Sequence, residues 1–296
     1  MINFFHEFNI YLWSLSHTLI SIIKSQDQLR RFRLVCDEDY TEFYGIISAL
    51  DSQKNSLQEV ILEYCNYSIE FEILKECKKL EILRIKYCNF SKLLNILDCK
   101  LSTLDIIDYQ IDASNIVQIL EKSGILLQRL KLESYKIFEE SILLEALKCC
   151  PNIIYLSISS AEICTQLVEL IGNLQKLQFL TLWFDLNTNE PEEEFQKQIK
   201  HFAKILPLTL QYLDLKDVWI YSYIDILLNY CNAPLKKLII NRLDNVKHIK
   251  ALIEFCSRNR TLNYVGLQNY SNLDNNIKNE VRAYVALVPY NHIVVN

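Results

Sequence analysis

The stretch that decides the fold reads Cys77-Lys-Lys-Leu80-Glu-Ile-Leu83-Arg-Ile85-Lys-Tyr-Cys88. Its spacing, C-x2-L-x2-L-x-L-x2-C, alternates apolar residues for a few positions and then places a small, buriable residue at a turn, which suits a short strand that ends sharply. Alternate side chains of a strand face opposite sides, so Leu83 and Ile85 share an apolar face. One such unit cannot bury that face alone. The stretch therefore predicts a stack of similar units.

Working outward, the L-x2-L-x-L pattern recurs from Leu29, Leu57, Leu80, Leu101, Leu127, Ile153, Leu177, Leu210, Leu235 and Leu262. The successive offsets are 28, 23, 21, 26, 26, 24, 33, 25 and 27 residues. All but one fall in the period of about 20 to 29 residues that marks leucine-rich repeats. Helical patterns follow the strands at 42–50, 69–77, 92–97, 114–122, 139–149, 163–171, 195–205, 223–230, 246–256 and 277–287. Strand, helix, strand again requires parallel strands joined by right-handed crossovers. The expected fold is an α/β leucine-rich-repeat solenoid, a horseshoe of about ten strand-helix repeats with a parallel concave sheet. Residues 1–28 read as an N-terminal capping region with a helix over 8–24, and 29–296 as one repeat domain. Residues 292–296 suit a last edge strand. Gly124 and Gly172 suit left-handed helix C-caps, Pro151, Pro207 and Pro234 follow helices that must stop, and Asp112 or Ser114, Ser222 and Asp274 suit N-caps.

Composition narrows the function classes. A net charge of -5 and a pI near 5.7 argue against a nucleic-acid groove or an anionic membrane surface. Neither GxGxxG nor GxxxxGK[ST] occurs. The ten cysteines form no CxxC, and no Cys/His set has zinc-ligand spacing, so neither a metal nor a cofactor is expected. The thiols read as reduced, buried and intracellular, in a cytoplasmic or nuclear chain. Residues 8–23 are apolar but interrupted by Asn9, Ser14, Ser16, His17, Thr18 and Ser21, which favours an amphipathic helix over a membrane anchor or signal.

With offsets 0, 3 and 5 of each repeat buried, offsets 2, 4 and 6 face the concave surface. Its first half is of mixed charge, with Arg84, Lys86, Arg129 and Lys131 as candidate partner contacts. Farther along, Tyr155, Phe179 and Tyr212 occupy offset 2 in three consecutive repeats, and Trp183 shares their face. At the roughly 4.8 Å spacing of adjacent strands these rings form a ladder, either a binding surface rich in aromatic anchors or rings packed on one another or under a loop. Both readings stay open at this point. The 33-residue repeat inserts Asn187-Thr-Asn-Glu190-Pro191-Glu-Glu-Glu194 before a helix, which reads as a binding loop or as an acidic helix start paired with Lys197 and Lys200.

Catalysis finds little support. His6, His17, His201, His248 and His292 are scattered through separate repeats, and each repeat of a solenoid touches only its neighbours. The vicinal Cys149-Cys150 pair ends an apolar helix, where burial accounts for it.

The 77–88 stretch resembles the cysteine-containing, ribonuclease-inhibitor-like repeat of the F-box/leucine-rich-repeat family. Weaker copies are Cys150-Pro-Asn-Ile153-Ile-Tyr-Leu156-Ser-Ile158 and Leu57-Gln-Glu-Val60-Ile-Leu62-Glu-Tyr-Cys65. The second cysteine is replaced in later copies by Tyr109, Tyr135, Ala161, Asp185, Val218, Leu243 and Tyr270. The Asn-, Ile-, Lys- and Tyr-rich composition is similar to the expanded fungal branches of that family. The resemblance implies a non-catalytic substrate-recognition region that captures another protein, with an F-box docking on the Skp1 adaptor of a cullin ubiquitin ligase. About 28 residues precede the first repeat without the Leu-Pro opening of an F-box, so a Skp1/cullin link requires an F-box elsewhere. Without one, a free-standing scaffold or inhibitor is expected.

Overall fold

A computed structural model describes residues 9–11, 16–36, 43, 45–89, 91–161, 163–184, 192–215, 220–243 and 245–293. The chain divides into two units, Met1–Cys150 and Pro151–Asn296. The first contains β1 (Asn9–Tyr11), α1 (Ser16–Ser25), β2 (Arg31–Val35), β3 (Glu59–Glu63), β4 (Ile82–Lys86), α2 (Ser91–Ile96), β5 (Thr103–Ile107), β6 (Gln110–Asp112), α3 (Ser114–Ser123), β7 (Arg129–Glu133), β8 (Lys136–Phe138) and α4 (Glu140–Leu147). Its strands pair in the order β1-β2-β3-β4-β5-β7, all parallel. The pairing is in register with the repeats: Arg31 lies beside Glu59, Glu59 beside Ile82, Ile82 beside Thr103, and Thr103 beside Arg129. A second, two-stranded sheet forms from β6 and β8 just past the strand ends.

The second unit holds β9 (Tyr155–Ala161), α5 (Thr165–Asn173), β10 (Phe179–Phe184), α6 (Glu192–Ile205), β11 (Tyr212–Leu215), α7 (Ile224–Tyr230), β12 (Lys237–Ile240), α8 (Val246–Arg258), β13 (Tyr264–Leu267), α9 (Asn275–Arg282) and β14 (Ala286–Pro289). These strands pair in parallel in chain order. Each repeat strand begins two residues after the leading Leu or Ile of its motif, as the periodicity predicts. In both units every residue at offsets 0, 3 and 5 is buried, at no more than 6% exposure. Burying one such side chain contributes about 1.5 to 3 kcal/mol, so the shared aliphatic row is the main favourable term in each repeat.

Several boundaries differ from the sequence expectations. Residues 9–11 form a strand on the edge of β2, and the first helix is confined to Ser16–Ser25. The open backbone edge of β2 offers hydrogen bonds that a helix there would forgo. Crossovers at Ser48–Gln53 and Ile69–Glu76 are 3-10 turns. At the other end, 286–289 pairs with β13 as an edge strand, and α9 stops at Arg282. The expected strand over 292–296 is replaced as far as Ile293 by the Tyr290–His292 3-10 turn, and 294–296 lie outside the described residues. Gly124 is the C-cap of α3 with a positive φ of 35°, but its ψ of -112° lies outside the left-handed helical conformation expected for it. Gly172 instead lies inside α5, where an added Cβ would come within 3.1 Å of Ile205 Cδ1 on α6. Its role is close helix contact. Asp274 caps α9 through Asn276 N–H at 2.7 Å, and Asp112 accepts from the N–H of Ser114 at 3.0 Å.

Leu83 is fully buried in β4. Truncation to Ala should lower unfolding stability by about 2 to 5 kcal/mol, and Leu83→Asp should do more damage because it buries an unpaired carboxylate. Urea denaturation reads both; an unchanged midpoint for Leu83→Asp would mean that the repeat does not share the core.

Candidate functional site

The face of each sheet opposite the leucine row carries the candidate contacts. In the first unit that face is an ion-pair lattice running across the strands. Glu59 on β3 accepts from Arg31 on β2 and lies 3.3 Å from Arg84 Nε on β4. Asp105 on β5 lies between Arg84 Nη1, at 3.3 Å, and Arg129 Nε, at 3.1 Å. One offset farther, Glu63 accepts from Arg33 at 2.8 Å with Lys86 Nζ at 3.5 Å, and Lys131 pairs with Glu133 at 3.0 Å. The register accounts for half of the lattice, because in-register parallel strands place Arg31 beside Glu59, Arg84 beside Asp105 and Glu63 beside Lys86. The Glu59–Arg84, Asp105–Arg129 and Glu63–Arg33 pairs reach diagonally, one offset away on the neighbouring strand. Glu59 and Asp105 are buried beneath the cations, whereas the Arg84 and Lys86 side chains remain 36% and 38% exposed. All four cations singled out from the sequence lie on this face, and each is engaged with an acid of its own unit.

A second feature of this unit went unrecognised in the sequence. Just past the strand ends, Tyr64, Tyr87, Tyr109 and Tyr135 stack in series with ring centroids 5.1, 5.1 and 6.3 Å apart. Tyr64 and Tyr87 hold a left-handed backbone conformation at the turn. Burial, then the neighbouring rings, raises the Tyr87 hydroxyl above its ordinary pKa. The available signal was the recurrence of Tyr at offset 7 or 8 in four successive repeats. Beside the stack lies a cavity of about 530 Å3 whose lining includes Tyr87, Tyr109, Phe138, Asp108 and Asp112. Desolvation raises the Asp108 carboxyl, partly offset by the N–H of Tyr109.

In the second unit Tyr155, Phe179 and Tyr212 form the ladder their register requires, with centroids 6.3 and 6.1 Å apart. The rings differ in their surroundings. Trp183 is well exposed, Tyr155 and Phe179 are half-buried, and Tyr212 is buried in a cluster with Ile239 and Ile293. The Tyr212 hydroxyl donates to Asp214 Oδ2 at 3.2 Å, and burial followed by the Asp214 charge pushes its pKa far upward. Ser157, Thr181, Asp214 and Ile239, all at offset 4, are buried as well. The residue covering Ile239 is Ile293, which comes back over the sheet from the end of β14.

The 187–191 part of the inserted loop lies outside the described residues. Of its expected pairs, Lys197 meets Glu194 at 3.2 Å, while Lys200 lies over the Tyr230 ring at 4.4 Å.

Cys149 is exposed, but its neighbour Cys150 is buried, and desolvation pushes its thiol up to about 12. Cys77 is pushed up to about 12, and Cys99, Cys231 and Cys256 to about 11, chiefly by burial. Thiols held this high are poor nucleophiles at neutral pH. Cys36, Cys65 and Cys88 end three successive strands, with Sγ of Cys36 and Cys65 3.2 Å apart. Hydrogen bonds with the Cys36 and Cys88 thiols, then burial, raise Cys65, while the hydrogen bond with the Cys65 thiol lowers Cys88. Among the described residues, no group of three or more His, Cys, Asp or Glu is placed to hold a metal, and no helix is long and apolar enough to cross a membrane.

No family model matches the chain, and no curated protein matches it in sequence. Among solved structures it is similar to the leucine-rich repeat-containing protein LegL7 of Legionella pneumophila, with a TM-score of 0.53 and 12% identity over 96% of this chain and 89% of that one. A Bacteroides fragilis protein is matched with a TM-score of 0.45 and 13% identity over 98% of this chain and 75% of the other. Parallel, in-register strands set by a leucine motif, together with the likeness to LegL7, make this a leucine-rich-repeat fold.

Two outcomes separate packing from surface roles. Tyr212→Ala should cost about 3 to 5 kcal/mol of stability and Tyr212→Phe about 1 to 3 kcal/mol, because the latter takes a donor from buried Asp214. Trp183→Ala should shift the urea midpoint far less, and equal effects at both positions would contradict this division. Under native conditions iodoacetamide should modify Cys149 rapidly and Cys150 only on the unfolding timescale, as peptide mass mapping would show.

Proposed function

We propose that this chain is a non-catalytic protein-interaction module that captures another protein on the sheet face opposite the leucine row. The observation that carries the reading is the ordered lattice on the first unit's face, where Arg84 and Arg129 are held over buried Glu59 and Asp105, and Lys86 and Lys131 pair with partly exposed Glu63 and Glu133. Such a surface offers preorganised cations to partner carboxylates at little entropy cost. In the second unit exposed Trp183, with Tyr155 and Phe179 behind it, supplies aromatic area of the kind that dominates binding hot spots. Tyr212 is the next, buried rung of the same ladder, beside Phe179.

The finer version of the reading is a substrate-recognition region of a cullin ubiquitin ligase. It is supported by the resemblance of residues 77–88 to the F-box-associated repeat, in which Cys77 and Cys88 serve as small buried hydrophobes. Recruitment then requires an F-box and Skp1 in the same assembly. The cytoplasmic or nuclear setting read from the cysteine usage belongs to this proposal.

Affinity purification of the full chain with mass spectrometry tests both levels. Lys86→Ala, Lys131→Ala and Trp183→Ala together should reduce recovery of the principal partner at least tenfold. Each lysine removed breaks a surface pair worth about 1 kcal/mol or less, so the fold should persist. Arg84→Ala and Arg129→Ala should instead destabilise by about 3 kcal/mol or more, because Asp105 loses its cations. Full partner recovery by the folded triple variant would refute this face as the binding surface. Co-recovery of a Skp1-type adaptor and a cullin supports the ligase version; a partner without them makes the chain a free-standing scaffold or inhibitor.

A further inference from the structure

The way the second unit ends has a different character from its repeats. After β14 pairs with β13, with Val288 beside Gly266, the chain turns through Tyr290–His292, closed by Ile293 N–H donating to Tyr290 O at 3.0 Å. That turn lies on the sheet face opposite the leucine row and lowers Ile293 into an apolar depression. Tyr212 and Ile239 form its buried lining, and Phe179 and Val288 pack at its edge.

Gly266 is the floor. An ideal Cβ at this position would lie 2.8 Å from Ile293 Cδ1, 3.1 Å from Tyr290 Cα and 3.2 Å from Ile239 Cγ1. The backbone of Gly266 is not among the positive-φ glycines, so conformation does not call for glycine here. Space does. A glycine in a strand interior costs about 0.5 to 1 kcal/mol, and the chain has only four glycines. One of them stands where another stretch of backbone must approach the sheet. The same approach removes Ile239 from solvent, although its offset faces away from the leucine core.

This arrangement has the parts of a peptide-recognition site: a glycine floor that admits backbone, apolar walls from three neighbouring strands, and a single branched aliphatic anchor. We propose that the sheet face of the second unit contains a peptide groove centred on Tyr212, Ile239 and Gly266. The chain's own Tyr290–Ile293 turn is its resident occupant. Its external ligand is a peptide that presents a branched aliphatic side chain in the same way. The occupant is tethered within a few residues of β14, so its effective concentration is of millimolar order, and a competing peptide must displace it. This goes beyond the interaction reading above, because it assigns the groove, its ligand chemistry and a built-in competitor.

The test uses the full-length chain and a fluorescein-labelled peptide of residues 289–296, Pro-Tyr-Asn-His-Ile-Val-Val-Asn, followed by anisotropy. Ile293→Asp should empty the groove and bind the peptide at least tenfold more tightly than the wild-type chain does. Adding Gly266→Val to Ile293→Asp should abolish that binding, and a peptide with Ser in place of its Ile should not bind. Circular dichroism establishes that each variant is folded, and Ile293→Ser serves the same comparison if the aspartate unfolds the chain. Equal peptide affinity of wild type and a folded Ile293 variant, or binding that survives Gly266→Val, would overturn the proposal. No natural partner enters this measurement, so its failure leaves the reading of the first unit's face standing.

Discussion

Everything in this fold depends on one deficit: a short repeat segment, with its leading aliphatic residue and the two inward side chains of its strand, cannot keep them from water alone. Leu80, Leu83 and Ile85 are buried only because Leu57, Val60 and Leu62 lie on one side of them and Leu101, Leu104 and Ile106 on the other. That mutual burial fixes more than stability. A slip of one residue between neighbouring strands would turn every leucine to the opposite face. Register is therefore enforced wherever the row continues, and equal offsets of successive repeats must stand side by side on the other face too.

The other face inherits that order and has to satisfy it. Stacking like charges at equal offsets would cost energy, and the first unit avoids it: Glu59 stands between Arg31 and Ile82, Asp105 between Arg84 and Lys131, and each acid also reaches an arginine diagonally, Glu59 to Arg84 and Asp105 to Arg129. The second unit places rings at offset 2 from Tyr155 through Tyr212 and buries Ser157, Thr181, Asp214 and Ile239 at offset 4, then covers part of the row with Ile293. Both solutions follow from the same in-register pairing. They differ in what a partner would meet: exchangeable charges in one, a filled apolar depression in the other.

The strands were legible because a period of two with a fixed leading leucine is a strong, local signal. Each repeat strand starts at the expected residue, Arg31 and Tyr264 included. The crossovers were less legible. Only 23 residues separate Leu57 from Leu80, which leaves room for a 3-10 turn over Ile69–Glu76 where the apolar spacing suggested a helix. The ring ladder of Tyr155, Phe179 and Tyr212 was visible because it is a property of register. The burial of Tyr212 was not, since it depends on Ile293, some eighty residues away in sequence and outside the repeat pattern. The ion pairs followed the predicted face, yet which acid serves which base depends on side-chain reach across strands. The stacked tyrosines are present in the sequence as Tyr at offset 7 or 8 of four repeats, next to or at the offset that holds the second cysteine of the 77–88 stretch, so the recurrence is masked by the cysteine pattern.

Both faces are already satisfied in the unbound chain, and this shapes how either could bind. A partner carboxylate approaching Arg84 or Lys86 competes with Glu59, Asp105 or Glu63, whose charges would be stranded under the sheet's cations if those cations turned fully away. Losing the only partner of a buried charge costs several kcal/mol, so the productive mode is a shared one, in which a cation keeps its inner acid and accepts an outer one. Such sharing rewards acids at strand spacing and penalises irregular ones, which favours specificity over raw affinity. At Tyr212 and Ile239 the proposed exchange would be of a different kind, one apolar side chain for another, and its net gain would reflect only how much better the incoming group fits than Ile293 does. On the interaction reading proposed above, selection among partners would work by replacement, with the resting contacts of each face setting the threshold that a ligand must exceed.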